Sequence, residues 1–207
     1  MQSTTQNKTT QKVSRKEEIL QALAKMLQNQ KRGRITTATL AQQVGVSEAA
    51  LYRHYPSKAK IYEALIEFIE ETLFTRINLI LKEQESTLLR CEHILTLVLA
   101  FAEQNPGLCR LLTGDALVEE EESLRLRITR LFERVETQIK QVLRESEIRE
   151  GTQTRLPTGA AASMLTALVE GRIVQFVRSE FKRSPTSDWS AQWAFISQQL
   201  LIHRVSE

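Results

Sequence analysis

The sequence predicts an all-α protein of about nine helices, in which a three-helix head precedes a larger helical body. Only seven Gly and four Pro interrupt 207 residues, and the abundant Leu, Ala, Glu, Gln and Arg favour long helices. Apolar residues recur at the spacing of one helix face, and no segment alternates convincingly as a strand would. We expect a disordered tail over residues 1–13, a head over 14–60 and a body over 61–207.

Capping residues mark the first helices. Ser14 followed by Glu17 matches the capping box of a first helix that continues to about residue 28. Thr36 or Thr37 can cap a short second helix. Gly45 can then take the positive φ of a tight turn. The head therefore begins with two helices and a turn.

Ser47, Pro56 and Ser57 define the next two helices. Ser47 can cap a third helix that Pro56 ends near Tyr55, and Ser57 can cap a long fourth helix that continues to about Lys82. The later helices are expected at about 87–105, 108–117, from the acidic run 119–122 to 147, 160–181 and 188–203, with a loop over residues 149–159.

The charge is divided unevenly along the chain. Residues 1–60 carry eleven Lys or Arg against three Glu, a net of +8, whereas the whole chain carries only +3, so the body is mildly acidic. A basic head suggests a polyanion, above all nucleic acid, as its partner. The alternative is that these side chains only keep a small domain in solution.

Export, membrane, disulfide and metal functions find little support. The polar start resembles no export signal, and the most apolar stretch, residues 94–102, is about half the ~20 residues that span a bilayer. Cys91 and Cys109 are expected to be reduced core residues. Cys91 with His93 is too sparse for a metal site, so no cofactor or metal is predicted.

The second and third helices form the pattern of a helix-turn-helix. Their apolar residues make a small core, so the opposite face of the third helix must point to solvent. On that face, the small side chain of Ala49 would allow the helix to enter a major groove deeply. Hydroxyl groups and Lys58 at neighbouring helix starts suit phosphate oxygens. The predicted DNA-binding residues are Thr36, Thr37, Ser47, Glu48, Ala49, Tyr52, Arg53, His54 and Lys58.

The segment "TLAQQVGVSEAALYRHYPSKAKIYEAL" at residues 39–65 resembles the DNA-binding signature of the TetR family of regulators. That resemblance implies about nine helices, three of them in the head, a homodimer through the last two helices, and palindromic double-stranded DNA as the ligand. The unusually apolar eighth and ninth helices agree with a dimer; the alternative is a monomer in which both helices are central. Whether several dimers share one DNA site stays open.

Five blocks resemble one branch of that family, the SlmA-type nucleoid occlusion factors. The resemblance implies a cytoplasmic, nucleoid-associated protein that antagonises the division protein FtsZ when bound to palindromic chromosomal sites, so that no septum forms over the nucleoid. The similar blocks are residues 34–58, 65–82, 101–117, 127–145 and 176–186.

The same resemblance implies a groove for the FtsZ C-terminal tail between the fourth and fifth helices. Phe68 and Arg76 are eight residues apart on the fourth helix, so they share one face with Thr72 between them. The small side chains of Thr72 and Ala100 would leave a trough. The implied partner-binding residues are Phe68, Arg76, Leu97, Ala100, Gln104 and Asn105. Gln104 stands where this branch usually has Arg and Ala100 where it usually has Gly, which is expected to weaken tail binding. The alternatives are that Phe68 and Leu97 are core residues and that Arg76 is a solvated charge.

The alternatives to this function are a transcriptional repressor and an enzyme. A ligand-responsive TetR-type transcriptional repressor has the same fold and needs a pocket in the body. An enzyme is not expected, because His93 and His203 have no partnered nucleophile and the chain has no Gly-rich phosphate loop.

Overall fold

A computed structural model describes residues 14–29, 35–118 and 120–203. The expected tail over residues 1–13 lies outside the described residues, as do residues 30–34 after the first helix. The described part is helical apart from two short strands, which confirms the predicted fold class. Its helices are α1 (Arg15–Asn29), α2 (Thr37–Val44), α3 (Glu48–His54), α4 (Lys58–Glu83), α5 (Thr87–Gln104), α6 (Pro106–Leu112), α7 (Glu122–Glu150), α8 (Thr158–Arg178) and α9 (Trp189–Leu200).

The predicted cap begins α1. The backbone N–H of Ser14 donates to the Glu17 carboxylate at 2.7 Å, and the N–H of Glu17 donates to the Ser14 hydroxyl at 3.2 Å. These hydrogen bonds favour the charged carboxylate and lower the pKa of Glu17. Two otherwise unsatisfied N–H groups of the first turn are paired in this way.

The caps of α2 and its turn also form. Thr36, one of the two residues proposed as the cap, accepts from the backbone N–H of Thr39, and the Thr39 hydroxyl accepts from the N–H of Thr36. Gly45 ends α2 with φ +75°, a value that glycine adopts without a Cβ clash. α2 and α3 therefore meet at a tight turn.

The serines predicted as caps begin α3 and α4. The Ser47 hydroxyl accepts from Ala50 N–H and the Ser57 hydroxyl accepts from Lys60 N–H, both at 3.2 Å. Leu51 of α3 is fully buried in the core of the head, and this fixes which face of the helix points inward. With this residue inward, the opposite face of a seven-residue helix must face solvent.

The body is built around α4, α5, α7 and α8. α4 buries a series of apolar residues at helical spacing, Ile61, Leu65, Ile69, Leu73 and Ile77. A three-residue connection turns the chain into α5, so the two helices pack antiparallel. α8 packs on α7 and α5 and completes the bundle.

α7 covers one side of α4 through charged contacts. The Arg127 guanidinium forms an ion pair with Glu70 at 2.6 Å. The Arg134 guanidinium lies 3.7 Å from the centre of the Phe74 ring, within the range of a cation–π contact. The side of α4 that carries Glu70 and Phe74 is therefore occupied by α7.

The sixth helix differs from its predicted bounds of 108–117. α6 begins at Pro106, which suits the first helical position because it has no N–H to leave unpaired. It ends at Leu112, and a short 3-10 turn follows at Asp115–Leu117. Gly114, with φ +79°, separates the two elements because that backbone conformation does not continue a helix.

Two short strands were not predicted. Residues 149–159 were expected as a loop, but β1 (Thr152–Thr154) pairs antiparallel with β2 (Leu201–His203), which was expected to be the end of the ninth helix. The eighth helix also ends at Arg178 rather than near 181, where Glu180 and Phe181 have positive φ. Pairing across about fifty residues overrides the local preference of both segments.

Helix α1 joins the head to the body through α6. Gly107 of α6 lies directly on the α1 backbone: a Cβ there would overlap the carbonyl oxygen of Ala24 and lie 3.1 Å from the Gln28 nitrogen. Such a close approach requires glycine. The head and the body therefore share one hydrophobic core.

Both cysteines are buried and free. Burial raises the pKa of the Cys91 and Cys109 thiols to about 12, so both stay protonated. This confirms their assignment as reduced core residues. Helix α8 is long and apolar enough to cross a membrane by length and composition alone, but residues such as Leu165, Val169 and Ile173 are buried in the bundle, which accounts for that composition.

Candidate nucleic-acid interface and partner groove

The outer face of α3 presents most of the predicted DNA-binding residues to solvent. Ser47, Glu48, Ala49 and Arg53 are exposed. Tyr52 is 43% exposed. This face carries a methyl group, a phenol, a carboxylate and a guanidinium within two turns, the kinds of group that read base edges.

A chain of hydrogen bonds ties this face to the start of α2. The Tyr52 hydroxyl donates to Thr37 Oγ1 at 3.4 Å, and Thr37 Oγ1 donates to the Glu48 carboxylate at 2.8 Å. Residues fifteen positions apart are thereby held on one surface. Thr36 is exposed beside them, with its hydroxyl engaged in the α2 cap.

Two predicted residues are placed differently. His54 is half-buried at the end of α3. Lys58, the first residue of α4, directs its ammonium toward the body, where it forms an ion pair with Glu120 and lies 5.5 Å from the centre of the Tyr62 ring. Its contact with DNA stays a prediction, whereas its partner in the free protein is Glu120. That partner was not predictable from the sequence, because the two residues are 62 positions apart.

The α4 side of the expected groove is open. Phe68 is 47% exposed although its neighbour Ile69 is fully buried, so Phe68 is not a core residue. Arg76 is exposed and Thr72 is half-buried on the same helix face. This face lies away from the side of α4 that α7 covers.

The α5 side supplies smaller and more buried groups. Leu97 and Ala100 are half-buried, and Gln104 is exposed one turn further on. The Asn105 side-chain amide donates to the carbonyl oxygen of Phe101 at 2.8 Å, so this residue caps the end of α5. Because α4 and α5 run antiparallel from their shared turn, Leu97 and Ala100 lie at the level between Phe68 and Arg76.

Two exposed leucines near the turn between α4 and α5 were not predicted from the sequence. Leu79 is 48% exposed, and Leu89 is 43% exposed near the start of α5. Leu79 follows Phe68 by eleven residues, three helical turns, so it extends the same stripe. That spacing could have been recognised in the sequence.

A cavity of about 340 Å³ opens between α6, α7 and α8. Apolar Leu112, Ile128 and Phe132 line it together with Glu136 and Glu170. Burial, and to a smaller degree the Glu136 carboxylate, raise the pKa of Glu170. Within residues 14–29, 35–118 and 120–203, no group of three His, Cys, Asp or Glu side chains could hold a metal ion.

The last two helices expose a large apolar surface. Phe195 of α9 is 74% exposed, and Met164 and Val174 of α8 are also exposed. Phe195 borders a shallow apolar groove with Leu168 and Ile196. Exposed apolar side chains that adjoin an apolar groove are typical of protein–protein interfaces.

Comparison with known proteins decides the family. Residues 16–65 match the model of bacterial regulatory proteins of the tetR family, and residues 85–201 match the SlmA-like model of the tetracyclin repressor-like C-terminal domain. A protein of Marinomonas sp. (strain MWYL1) described as nucleoid occlusion factor SlmA is 56% identical over 193 residues, 93% of this chain and 98% of that protein. The chain belongs to the SlmA family of nucleoid occlusion factors. Its Shewanella halifaxensis relative of the same description is 57% identical over 190 residues, 92% of this chain and 96% of that protein.

Solved structures agree on the fold of the SlmA family member. The fatty acid degradation regulator FadR from Bacillus halodurans superposes with a TM-score of 0.76 at 14% identity, covering 90% of this chain and 96% of that chain. A TetR transcription regulator from Haloarcula marismortui superposes with a TM-score of 0.70 at 20% identity, covering 90% of this chain and 98% of that chain. The resemblances predicted from sequence are therefore confirmed: a head of the tetR family precedes a SlmA-like, tetracyclin repressor-like C-terminal body.

Proposed function

We propose that this SlmA family member binds palindromic chromosomal sites as a homodimer and, when bound, captures the C-terminal tail of FtsZ and antagonises FtsZ polymerisation. It acts by binding rather than by catalysis, at the nucleoid in the cytoplasm. The observation that carries the proposal is the exposure of Phe68 and Arg76 on α4, amid a helix whose other apolar side chains are largely buried.

The chemistry of the groove suits a short peptide with apolar anchors and an acidic group. Phe68 and Leu97 offer apolar contact area, Ala100 and Thr72 leave room for a peptide backbone, and the Arg76 guanidinium can pair with a carboxylate. Helix-in-groove and extended peptides both bind through such spaced anchors. Gln104 in place of a cation leaves Arg76 as the principal positive charge among the proposed contact residues, so tail affinity depends strongly on it.

The proposed DNA contacts divide into two kinds. Ala49 and Tyr52 lie where base edges are reached, whereas Thr36 and Lys58 at helix starts suit phosphate oxygens. The hydrogen bonds from Tyr52 through Thr37 to Glu48 support a pre-organised reading surface. The homodimer forms through α8 and α9, whose exposed Phe195 supports this assignment.

FtsZ polymer assembly with GTP tests the proposal directly. The purified chain is mixed with FtsZ in the absence of DNA, with a duplex selected by the chain from a random-sequence library, and with an unrelated duplex of equal length. We expect loss of sedimentable FtsZ polymer only with the selected duplex. Equal disruption without DNA, or none with it, would contradict the proposal.

Replacing Tyr52 with Ala should change sequence preference. A side chain that reads one base pair contributes ~1–3 kcal/mol of discrimination, so the variant should lose about five- to a hundredfold of its preference for the selected duplex. Affinity for an unrelated duplex should stay within about twofold, because phosphate contacts supply it. Fluorescence anisotropy with both duplexes measures the ratio; an unchanged ratio would exclude Tyr52 from base reading.

The cavity between α6, α7 and α8 favours a second candidate function, a ligand-responsive transcriptional repressor. Its apolar side chains Leu112, Ile128 and Phe132, together with the neighbouring carboxylates of Glu136 and Glu170, could hold a small molecule. This function predicts a compound that lowers DNA affinity and altered transcription near the binding sites on gene deletion. The FtsZ proposal predicts sites scattered over the chromosome and filamentous cells on overproduction.

A further inference from the structure

Lys58 holds an unusual position for a residue expected at DNA. It lies four residues after the end of α3, yet its ammonium is bound to the Glu120 carboxylate of the body. The Lys58 side chain is 16% exposed and that of Glu120 is 8% exposed. Limited access of water strengthens the Coulomb attraction between the two charges, and the loss of hydration of both groups offsets part of that gain.

Glu120 lies in a segment that contacts the head twice. It follows the 3-10 turn at Asp115–Leu117 and precedes α7. Earlier in the same segment, α6 packs on α1 through Gly107. At its start, Asn105 caps α5 at the end of the proposed FtsZ groove. The described residues 105–118 and 120–121 therefore lead from the groove to the residue that holds Lys58.

We propose that Lys58 exchanges Glu120 for a DNA backbone phosphate, so that DNA binding releases the end of this segment around Glu120 from the head, while the packing of α6 on α1 stays in place. An ammonium bound to both anions would bring two negative charges together, and their repulsion favours exchange over bridging. The ion pair is thus a latch: it ties the residues around Glu120 to the start of α4 in the free protein and opens on DNA. The inference rests on the DNA-binding part of the proposed function and supplies its regulation.

DNA affinity of a Glu120→Gln chain tests the latch. The probe is the duplex that the unmodified chain selects from a random-sequence library. Without the competing carboxylate, the variant should bind about fivefold more tightly, as expected for removal of a weak to moderate ion pair. The dependence of affinity on salt should be unchanged, because Lys58 still neutralises one phosphate.

Glu122→Gln is the matched control, because it removes the same charge two residues away from an exposed side chain at the start of α7. Its affinity should change by less than about twofold. Lys58→Gln should lower the slope of log affinity against log salt by about one, and adding Glu120→Gln to it should then have no effect. If Glu120→Gln bound no more tightly than Glu122→Gln, or more weakly than the parent, the latch would be wrong.

Hydrogen exchange of the unmodified chain provides a test without any substitution. In the free protein the N–H of Glu120 donates to Leu117 O at 3.2 Å and that of Leu124 donates to Glu121 O at 3.0 Å. On addition of the selected duplex, amides of residues 115–124 should exchange faster while those of α2 and α3 slow. Unchanged or slower exchange at 115–124 would overturn the proposal.

Neither measurement uses FtsZ, so the latch and the FtsZ proposal can fail separately. If FtsZ polymers were not disrupted although the affinity and hydrogen-exchange results were as expected, only the assignment of FtsZ as the partner would be overturned. A chain that selects no duplex would overturn both.

Discussion

Replacing Arg76 with Asp is expected to separate the two proposed activities of the chain. The variant should bind its selected duplex as the parent does, because Arg76 lies on α4 away from the head. It should nevertheless bind an FtsZ C-terminal peptide at least about thirtyfold more weakly, since loss of a charged interface contact costs ~2 kcal/mol or more and reversal adds repulsion. Sedimentation of FtsZ polymers with DNA present should show no disruption at parent concentrations.

Arg144→Asp is the matched control for this experiment. Arg144 is an exposed arginine on α7, so the change alters net charge equally without touching the groove. Phe68→Ala should weaken binding of the same peptide by about tenfold, because apolar contact with it is lost. If the Arg76→Asp chain still disrupted FtsZ polymers as the parent does, the groove between α4 and α5 would not be the binding site.

Replacing Gly107 with Ala is expected to have the largest effect on stability. The new methyl group would overlap the carbonyl oxygen of Ala24 and lie 3.0 Å from its carbonyl carbon, and both atoms belong to the α1 backbone, which cannot rotate away. Overpacking of this kind costs ~1–3 kcal/mol and more where backbone must move. We expect the free energy of unfolding, measured by urea denaturation, to fall by at least about 2 kcal/mol.

Gly159→Ala controls for the change of residue type. A Cβ at Gly159, in the first turn of α8, would meet only the flexible end of Lys140 at 3.7 Å, so Ala there should be neutral or stabilising by up to ~1 kcal/mol. A Gly107→Ala chain as stable as the Gly159→Ala chain would show that α1 and α6 do not pack as closely as described.

The candidate site was predictable where it depends on one helix. Because Leu51 points inward, Tyr52 and Ala49 must point outward on α3. On α4, a spacing of eight residues puts Phe68 and Arg76 on one helix face. Whether Phe68 is core or exposed was not predictable, because Ile69 beside it satisfies the same periodicity. Only the packing of α5 and α7 around α4 decides which of the two is covered.

By itself, the sequence determined the all-α class, the caps at Ser14, Ser47 and Ser57 and the turn at Gly45, because caps and helical periodicity act over about four residues. The tertiary structure alone decided the strand pairing of β1 with β2, the close contact of Gly107 with the α1 backbone and the partner of Lys58. Each of these joins residues tens of positions apart, and such contacts depend on where whole helices lie rather than on local preference.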